Sequence, residues 1–397
     1  MAQFRNFIGV LEKLQSKNVV VHEERCAVVR NRHATCTKCA DACTSGCISY
    51  ANNELTIDPE KCVGCGTCAT VCPTEALEAR NPDDAALFSA TLHAMHANDG
   101  NAVIACDQVL SHVRGLVDES KVAPVVCLGR VDESLIALMA LGGGSKVTLV
   151  CGDCAHCPQK VGRETAELVA RTANDLMEVW NCRLRAKVRS KFPASVRRDP
   201  AYAPAYDKGR RAFFKGAGDT AREAAGAVAA AEIDSLTGET HEAAPFKPAK
   251  VGENGVLPQH TPTRRKRLLK TLSEMGEPAD EMIACRLWGH VVIDMSACNS
   301  CQMCATFCPT GALTRFKDPD GTVGVMHYAD ACVKCRTCTD ICPKNALTVY
   351  DAVFAEDLMH GNIEKYPMDP PKIMEGGIHQ MRGVMQTLVT HSRVSDN

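Results

Sequence analysis

The sequence predicts a multidomain chain of mixed α+β and α/β class. Two small cysteine-rich modules flank a parallel-sheet α/β domain, and a long irregular linker leads from that domain to the second module. Three observations carry this reading. Sixteen of the 24 cysteines fall into four short runs, two towards each end of the 397-residue chain. Between them, short apolar segments alternate with amphipathic stretches, as strands joined by helices do. The stretch 183–284 then becomes basic, alanine-rich and finally polar, with no sustained period.

In chain order, residues 1–30 read as a helix and a connection, with Phe4, Phe7, Ile8, Leu11 and Leu14 spaced along one helical face. Residues 31–82 carry Cys36-x2-Cys39-x3-Cys43-x3-Cys47 and Cys62-x2-Cys65-x2-Cys68-x3-Cys72-Pro73. Residues 285–352 carry Cys298-x2-Cys301-x2-Cys304-x3-Cys308-Pro309 and Cys332-x2-Cys335-x2-Cys338-x3-Cys342-Pro343. A cubane [4Fe–4S] cluster takes a thiolate on each of its iron corners, and C-x2-C-x2-C lets one tight loop reach three of them. Structural zinc competes for such residues. It favours separated C-x2-C knuckles, a poor match to consecutive four-cysteine runs that mostly end in Cys-Pro. Disulfides are disfavoured by the close spacing and because no secretory signal is read at the N-terminus.

The segments after the runs repeat. Pro73-Thr74-Glu75-Ala76-Leu77, Pro309-Thr310-Gly311-Ala312-Leu313 and Pro343-Lys344-Asn345-Ala346-Leu347 share P-x-x-A-L, and an apolar strand with a closing Asp (Asp58, Asp294) precedes two runs. Such self-similarity marks a duplicated unit. These residues resemble the bacterial two-cluster ferredoxin domain, present twice, over roughly 36–78 and 290–350. The first run departs from that pattern, with one extra residue before Cys43 and Ile48 where Pro would follow Cys47. The resemblance implies crossed ligation of four [4Fe–4S] clusters. Cys36, Cys39, Cys43 and Cys72 would hold one, and Cys62, Cys65, Cys68 and Cys47 its neighbour. In the second module Cys298, Cys301, Cys304 and Cys342 would hold one, and Cys332, Cys335, Cys338 and Cys308 the other.

Residues 83–182 read as the α/β domain. Strands are expected at 102–105, 123–126 and 147–150, each ending at a cysteine: Cys106, Cys127 and Cys151. Helices are expected at 133–141, stopped by Gly142-Gly143-Gly144, and at 163–180. In parallel sheets ligands gather at the carboxyl ends of the strands. If the strands are neighbours, three thiols share one edge, and the loop Cys151-Gly-Asp-Cys154-Ala-His156-Cys157 adds two more. Cys127, Cys151, Cys154 and Cys157 could hold a fifth cluster, with Cys106 as a substitute ligand. The stretch resembles the delta subunit of methyl-viologen-reducing hydrogenases over about 100–180. That family binds an iron–sulfur cluster and passes electrons to heterodisulfide-reductase-type flavoproteins. It has a Cys pair near the first strand where this chain has only Cys106, so [2Fe–2S] and [4Fe–4S] both stay open. Structural zinc, metal-free redox thiols and plain burial are the competing readings of these cysteines. No dinucleotide fingerprint or Walker A motif is present.

The basic run Arg264-Arg265-Lys266-Arg267 is expected to open a short helix with a solvated face, or to dock on an acidic partner. Residues 353–397 read as an extension with an apolar stripe at Ile378, Met381, Val384, Met385 and Leu388. Cys26, Cys182 and Cys285 read as small buried apolar residues, and His156 as a candidate extra ligand. The formal net charge of −2 gives no pull towards nucleic acid or membrane. No apolar run is long enough to span a bilayer, and the expected compartment is the cytoplasm. The function expected is that of an electron-transfer subunit, relaying electrons from donor to acceptor subunits of a redox complex. That complex is expected to be of the hydrogenase, formate dehydrogenase, heterodisulfide-reductase-like or other flavoprotein oxidoreductase type. Two alternatives remain: a reductase with a substrate or disulfide site at the central cysteines, and a metal-stabilised interaction scaffold.

Overall fold

Apolar residues at period two make the small sheets of the first module. In a computed structural model the chain is described over residues 18–51, 54–113, 115–198 and 257–369. The apolar stripes within 4–14 and 378–388 and the alanine-rich stretch 220–231 lie outside the described residues. Strands β1 (Val19–Val21) and β4 (Leu77–Ala79) pair antiparallel, as do β2 (Ile48–Ala51) and β3 (Glu54–Ile57). On β3, Leu55 and Ile57 face inward and Glu54 and Thr56 outward, so one face buries apolar surface against Val19, Val29, Ala69 and Leu77.

The middle of the chain forms a four-stranded parallel sheet in the order β6-β5-β7-β8. Its strands are β5 (Asn101–Cys106), β6 (Ala123–Val125), β7 (Lys146–Val150) and β8 (Arg185–Arg189). Ala102, Val103, Ile104 and Ala105 are wholly buried, the continuous apolar run of a strand covered on both faces. Helices α1 (Asp84–His96), α2 (Glu133–Leu141) and α3 (Val161–Val179) cover it. Asp83 and Asp132 cap α1 and α2 with side-chain bonds to backbone N–H groups. The expected strands and helices of this domain are all present, and the three expected strands are neighbours.

Within the stretch 183–284, expected as linker, the described residues 183–198 and 257–284 carry regular structure. Arg185-Ala-Lys-Val-Arg189 is β8, an edge strand whose alternating charges face water while Ala186 packs inward. The Asn174 amide of α3 accepts from Ala186 N–H (2.8 Å) and donates to its carbonyl (2.9 Å), fixing that edge. The basic run forms the first turn of α4 (Thr263–Glu274), and its face is not solvated. Leu268 and Leu272 enter the core of the α/β domain, and Arg267 is 4 % exposed. Charge decides this position: Arg264 Nε meets Glu75 at 3.1 Å and Arg267 Nη2 meets Asp84 at 3.3 Å. The Glu75 carboxylate also accepts from Thr263 N–H (2.6 Å) and Arg264 N–H (2.7 Å), capping α4.

In the last part, β10 (His290–Ile293) pairs with β13 (Leu347–Tyr350), and β9 (Met282–Ala284) with β14 (Ala352–Phe354). β11 (Leu313–Lys317), β12 (Val323–Tyr328) and β15 (Ile363–Met368) form a third sheet. Residues 353–368, expected to lie in an extension, therefore pair as strands: β14 with β9 against the α/β core, and β15 with β12 in the second module.

Burial alone would raise the Glu75 carboxyl. The His260 ring, the Arg264 guanidinium and the capping N–H hold it down at about 2. Because this lies below the ordinary 4.5, its contribution is complete above about pH 4.5 and fades as the pH falls towards 2. Glu75→Gln is expected to cost about 3 kcal/mol at pH 7. Urea titrations of the anaerobic protein followed by circular dichroism should show the two proteins converging as the pH drops below that range.

Candidate iron–sulfur centres

Three of the four cysteine runs have the same backbone. The second residue after the first Cys and the residue after the second Cys adopt left-handed φ: Gly64 (68°) and Gly66 (73°), Ser300 (59°) and Gln302 (55°), Lys334 (52°) and Arg336 (61°). Non-glycine residues there cost about 1–3 kcal/mol each, strain of the sort kept at functional loops. Such alternation turns successive N–H groups into one concavity, a nest for an anionic group. A short helix follows and carries the third cysteine of each run: Thr67–Val71, Met303–Phe307 and Thr337–Asp340. In the first run the extra residue is absorbed by a helical turn, Lys38–Asp41, and the reversal falls later, at Gly46 (φ 63°).

The repeated Asp and P-x-x-A-L segments have physical roles. Cys62 and Cys298 donate their N–H to the carbonyls of Asp58 (3.0 Å) and Asp294 (2.9 Å), and each carboxylate accepts from the N–H two residues on. After the fourth cysteine, Glu75, Gly311 and Asn345 are left-handed. The chain then turns back, so that Ala76 N–H reaches Cys72 Sγ (3.3 Å), Ala346 N–H reaches Cys342 Sγ (3.3 Å) and Leu313 N–H reaches Cys308 Sγ (3.5 Å). Ser300 N–H approaches Cys298 Sγ at 3.4 Å, and the Tyr50 hydroxyl lies 2.6 Å from Cys39 Sγ. N–H and O–H bonds to sulfur favour thiolate, the form that holds iron.

The thiols are crowded. Burial pushes Cys39 up to about 12, and Cys72 and Cys36 beside it oppose its ionisation further. Cys47 is raised to about 12 by burial first, with Cys43 (Sγ–Sγ 3.4 Å) and Cys62 adding. Cys68 is raised by burial and by Cys65, Cys39, Cys62 and Cys43. In the second module burial and then Cys301 raise Cys304 to about 12, with Cys298 and Cys308 also near. Burial raises Cys332 to about 12, with Cys335 and Cys308 adding, and Cys338 faces Cys335, Cys332, Cys308 and Cys304. Packed thiols that resist ionisation alone are what a cationic metal core relieves.

At the α/β sheet, Cys106, Cys127 and Cys151 do share the carboxyl edge and are buried, while Cys154 and Cys157 stand half-buried in the following loop. Burial raises Cys127 to about 12, and Cys65, Cys106 and Cys157 add. Burial and then Cys151 raise Cys154 to about 12, with Cys106 and Cys127 near. His156 turns outwards: its side chain is 85 % exposed and pairs with Asp153 at 2.7 Å. Gly162 packs against Cys127 Sγ with no space for a Cβ.

The cysteine sites adjoin one another. Thr44, within the first run, donates to the Pro158 carbonyl of the central loop. Thr35 N–H and Oγ1 both donate to Asp340 Oδ2 (2.8 and 2.9 Å), which sets the first run against the fourth. Burial first and Cys308 next raise Cys335 to about 11, and Cys36 adds from across the boundary. Arg30 is wholly buried between the modules, donating to the carbonyls of Glu24 (2.8 Å), Phe307 (3.4 Å) and Cys308 (3.2 Å). Burial pulls it down to about 10, opposed by Cys308 and Cys335. Arg30, Glu75, Tyr50 and Gly162 escaped the sequence reading. Only Glu75 sat in a motif, as the variable position of P-x-x-A-L.

Family models agree with this geometry. One for a 4Fe-4S binding domain matches residues 55–78, and one for a 4Fe-4S dicluster domain matches residues 297–347. The chain carries iron–sulfur domains of the [4Fe–4S] type. The matches enclose the second, third and fourth runs; the first run and the α/β domain fall outside them. Similar curated proteins include a subunit of an ion-translocating oxidoreductase complex from Methanosarcina acetivorans, 42 % identical over 45 residues. A ferredoxin of Saccharopolyspora erythraea is 40 % identical over 53 residues, and one of Rickettsia felis 34 % over 47. These alignments take 11, 13 and 12 % of this chain and 17, 50 and 43 % of the respective relatives. The iron–sulfur chain thus spans half or less of the length of each. Among the described residues, no helix is long and apolar enough to cross a membrane.

If the central cysteines hold a centre, Gly162→Ala is expected to displace the Cys127 thiol and empty that site alone. Metal and sulfide analysis of the variant should fall by one centre, with the ferredoxin-type signals unchanged.

Proposed function

We propose that this chain is the electron-transfer subunit of an oxidoreductase complex, holding four [4Fe–4S] clusters in its cysteine runs and a fifth cluster at the sheet edge. One observation carries the reading: the central cysteines adjoin the first module, and the first module adjoins the second. Cys127 is close enough to Cys65, and Cys36 to Cys335, for their charges to interact. With the crossed ligand sets, the order becomes the central site, then Cys47/Cys62/Cys65/Cys68, then Cys36/Cys39/Cys43/Cys72. Cys308/Cys332/Cys335/Cys338 follow, and Cys298/Cys301/Cys304/Cys342 end the row. Cys72 and Cys36 lie near Cys39, Cys62 near Cys47, and Cys308 near Cys332 and Cys335, as these sets require, while the 3.4 Å Cys43–Cys47 pair falls on the boundary between two of them. When bound, the clusters supply one-electron carriers, whose potentials respond to net charge, hydrogen bonds to sulfur and exposure.

The protein's own part is to space, insulate and tune. Arg30 places a fixed cation against the Cys308 carbonyl, and the N–H groups of Ala76, Leu313 and Ala346 stabilise charge on the sulfurs they touch. Partners supply the terminal chemistry. The relative from an ion-translocating oxidoreductase complex favours a redox complex as partner, and the hydrogenase-delta resemblance of the central domain favours one of hydrogenase or heterodisulfide-reductase-like flavoprotein type.

Iron, acid-labile sulfide and zinc measured on anaerobically purified protein test the count. About 20 iron and 20 sulfide without zinc match five cubanes. About 18 match a central [2Fe–2S], and about 16 with one zinc reduce the centre to a structural site. Cys127→Ser should remove the central cluster only; loss of all clusters, or of none, would sink the assignment. Arg30→Met should lower the reduction potential of one cluster in an EPR-monitored titration, because a cation near the reduced form is lost.

A further inference from the structure

On the strands beside the fourth cysteine run, but with no cysteine among them, His290, His327 and Glu364 converge from three strands. His327 on β12 and Glu364 on β15 are directly opposed across the antiparallel ladder. His290 opens β10, and its ring meets that of His327 edge-on at a centroid distance of 5.5 Å. One donor atom from each of the three lies within 4.8 Å of the others, and His290 Nε2 is 3.3 Å from Glu364 Oε2. All three line one cavity of about 760 Å³.

A packed apolar strand gives no reason for this arrangement. His327 is 1 % exposed, yet its Nε2 has no hydrogen-bond partner, and neither has His290 Nδ1. An orphaned buried ring nitrogen costs about 1–3 kcal/mol unless something binds it. An ion pair between His290 and Glu364 would satisfy that pair and leave His327 as it is. A metal ion satisfies His327 as well. Two imidazoles and a carboxylate are the donor set of borderline divalent ions, zinc and iron(II) foremost. Bonds of about 2.0–2.2 Å put tetrahedral ligands about 3.3 Å apart; the His290–Glu364 pair already has that separation, and the His327 donor must close by up to about 1.5 Å. The ring of Phe354 stands edge-on to His290 at 6.2 Å and limits its swing. Glu277, Asp280, Glu281, Glu356 and Asp357 also line the cavity and attract cations to it.

We propose that His290, His327 and Glu364 form a divalent transition-metal site, distinct from the cysteine centres, with an open coordination position towards the acidic cavity. Three protein ligands leave that position to water or to a small anionic donor. The ion would also tie β15 to the module that bears the third and fourth runs.

Full-length, anaerobic protein would be treated with EDTA, checked for unchanged iron and sulfide, and dialysed to equilibrium against zinc. Elemental analysis gives the binding isotherm. The wild type should take up one zinc that His327→Ala and His290→Gln lose, with affinity at least about tenfold weaker. Glu364→Gln, at a half-exposed position, should weaken it similarly while keeping its iron, and so decides the matter if His327→Ala misfolds. Wild-type protein that takes up no zinc overturns the proposal. So does zinc that persists in Glu364→Gln and His290→Gln but vanishes in Cys127→Ser, which would put it at the central cysteines.

Discussion

Buried arginines fix the cysteine sites relative to one another. Arg30 reaches from the first module to the Cys308 carbonyl of the second. Arg130, 2 % exposed, joins the turn after Cys127 to Asp84, and Arg267 meets the same carboxylate from α4. Arg264 holds Glu75, which belongs to the turn that donates an N–H to Cys72. Arginine suits these positions because its planar fork serves several acceptors at once and stays charged when buried. Such pairs add little net stability over apolar packing, yet removing one partner costs about 3–5 kcal/mol. Their value here is registry. Electron transfer depends steeply on separation, and rigid pairs keep separations constant.

The same network explains how modules distant in sequence come together. The two cysteine-rich modules flank the α/β domain along the chain, but in space they touch through Thr35 and Asp340 as well as Arg30. A row of sites can therefore run from the sheet edge through the first module into the second. The α/β domain does not separate the modules. Its cysteines meet the first module where the left-handed Gly66 packs on Arg130 and Gly129 packs on Thr67, contacts with no space for a Cβ.

The local backbone of the runs is set by short-range chemistry. In the second and third runs an Asp carboxylate opens the loop; in these and the fourth, two left-handed residues shape it, a short helix presents the third thiol, and a further left-handed residue returns an N–H to the fourth thiol. Each step involves neighbours within a few residues, so its signature survives as a fixed spacing. For the same reason the departing first run still delivers its thiols, through a helical turn in place of the nest.

Much of the site was therefore legible in the sequence. Cysteine spacing, the P-x-x-A-L repeat and the alternation of apolar strand and helix identified the iron–sulfur class, the parallel sheet and the shared edge of Cys106, Cys127 and Cys151. Residues whose partners lie far along the chain were not legible. The basic turn of α4 looked like a solvated face because Glu75 and Asp84 stand some 180 residues away. Edge strand β8 looked like linker because its charges alternate around a single buried alanine, and residues 353–368 looked like an extension because their strand partners precede them. His290, His327 and Glu364 left no motif, being three single residues on three strands. Local spacing encodes loops that wrap a metal; only the tertiary fold decides which distant charges and imidazoles meet, because burial and cross-strand register bring them together.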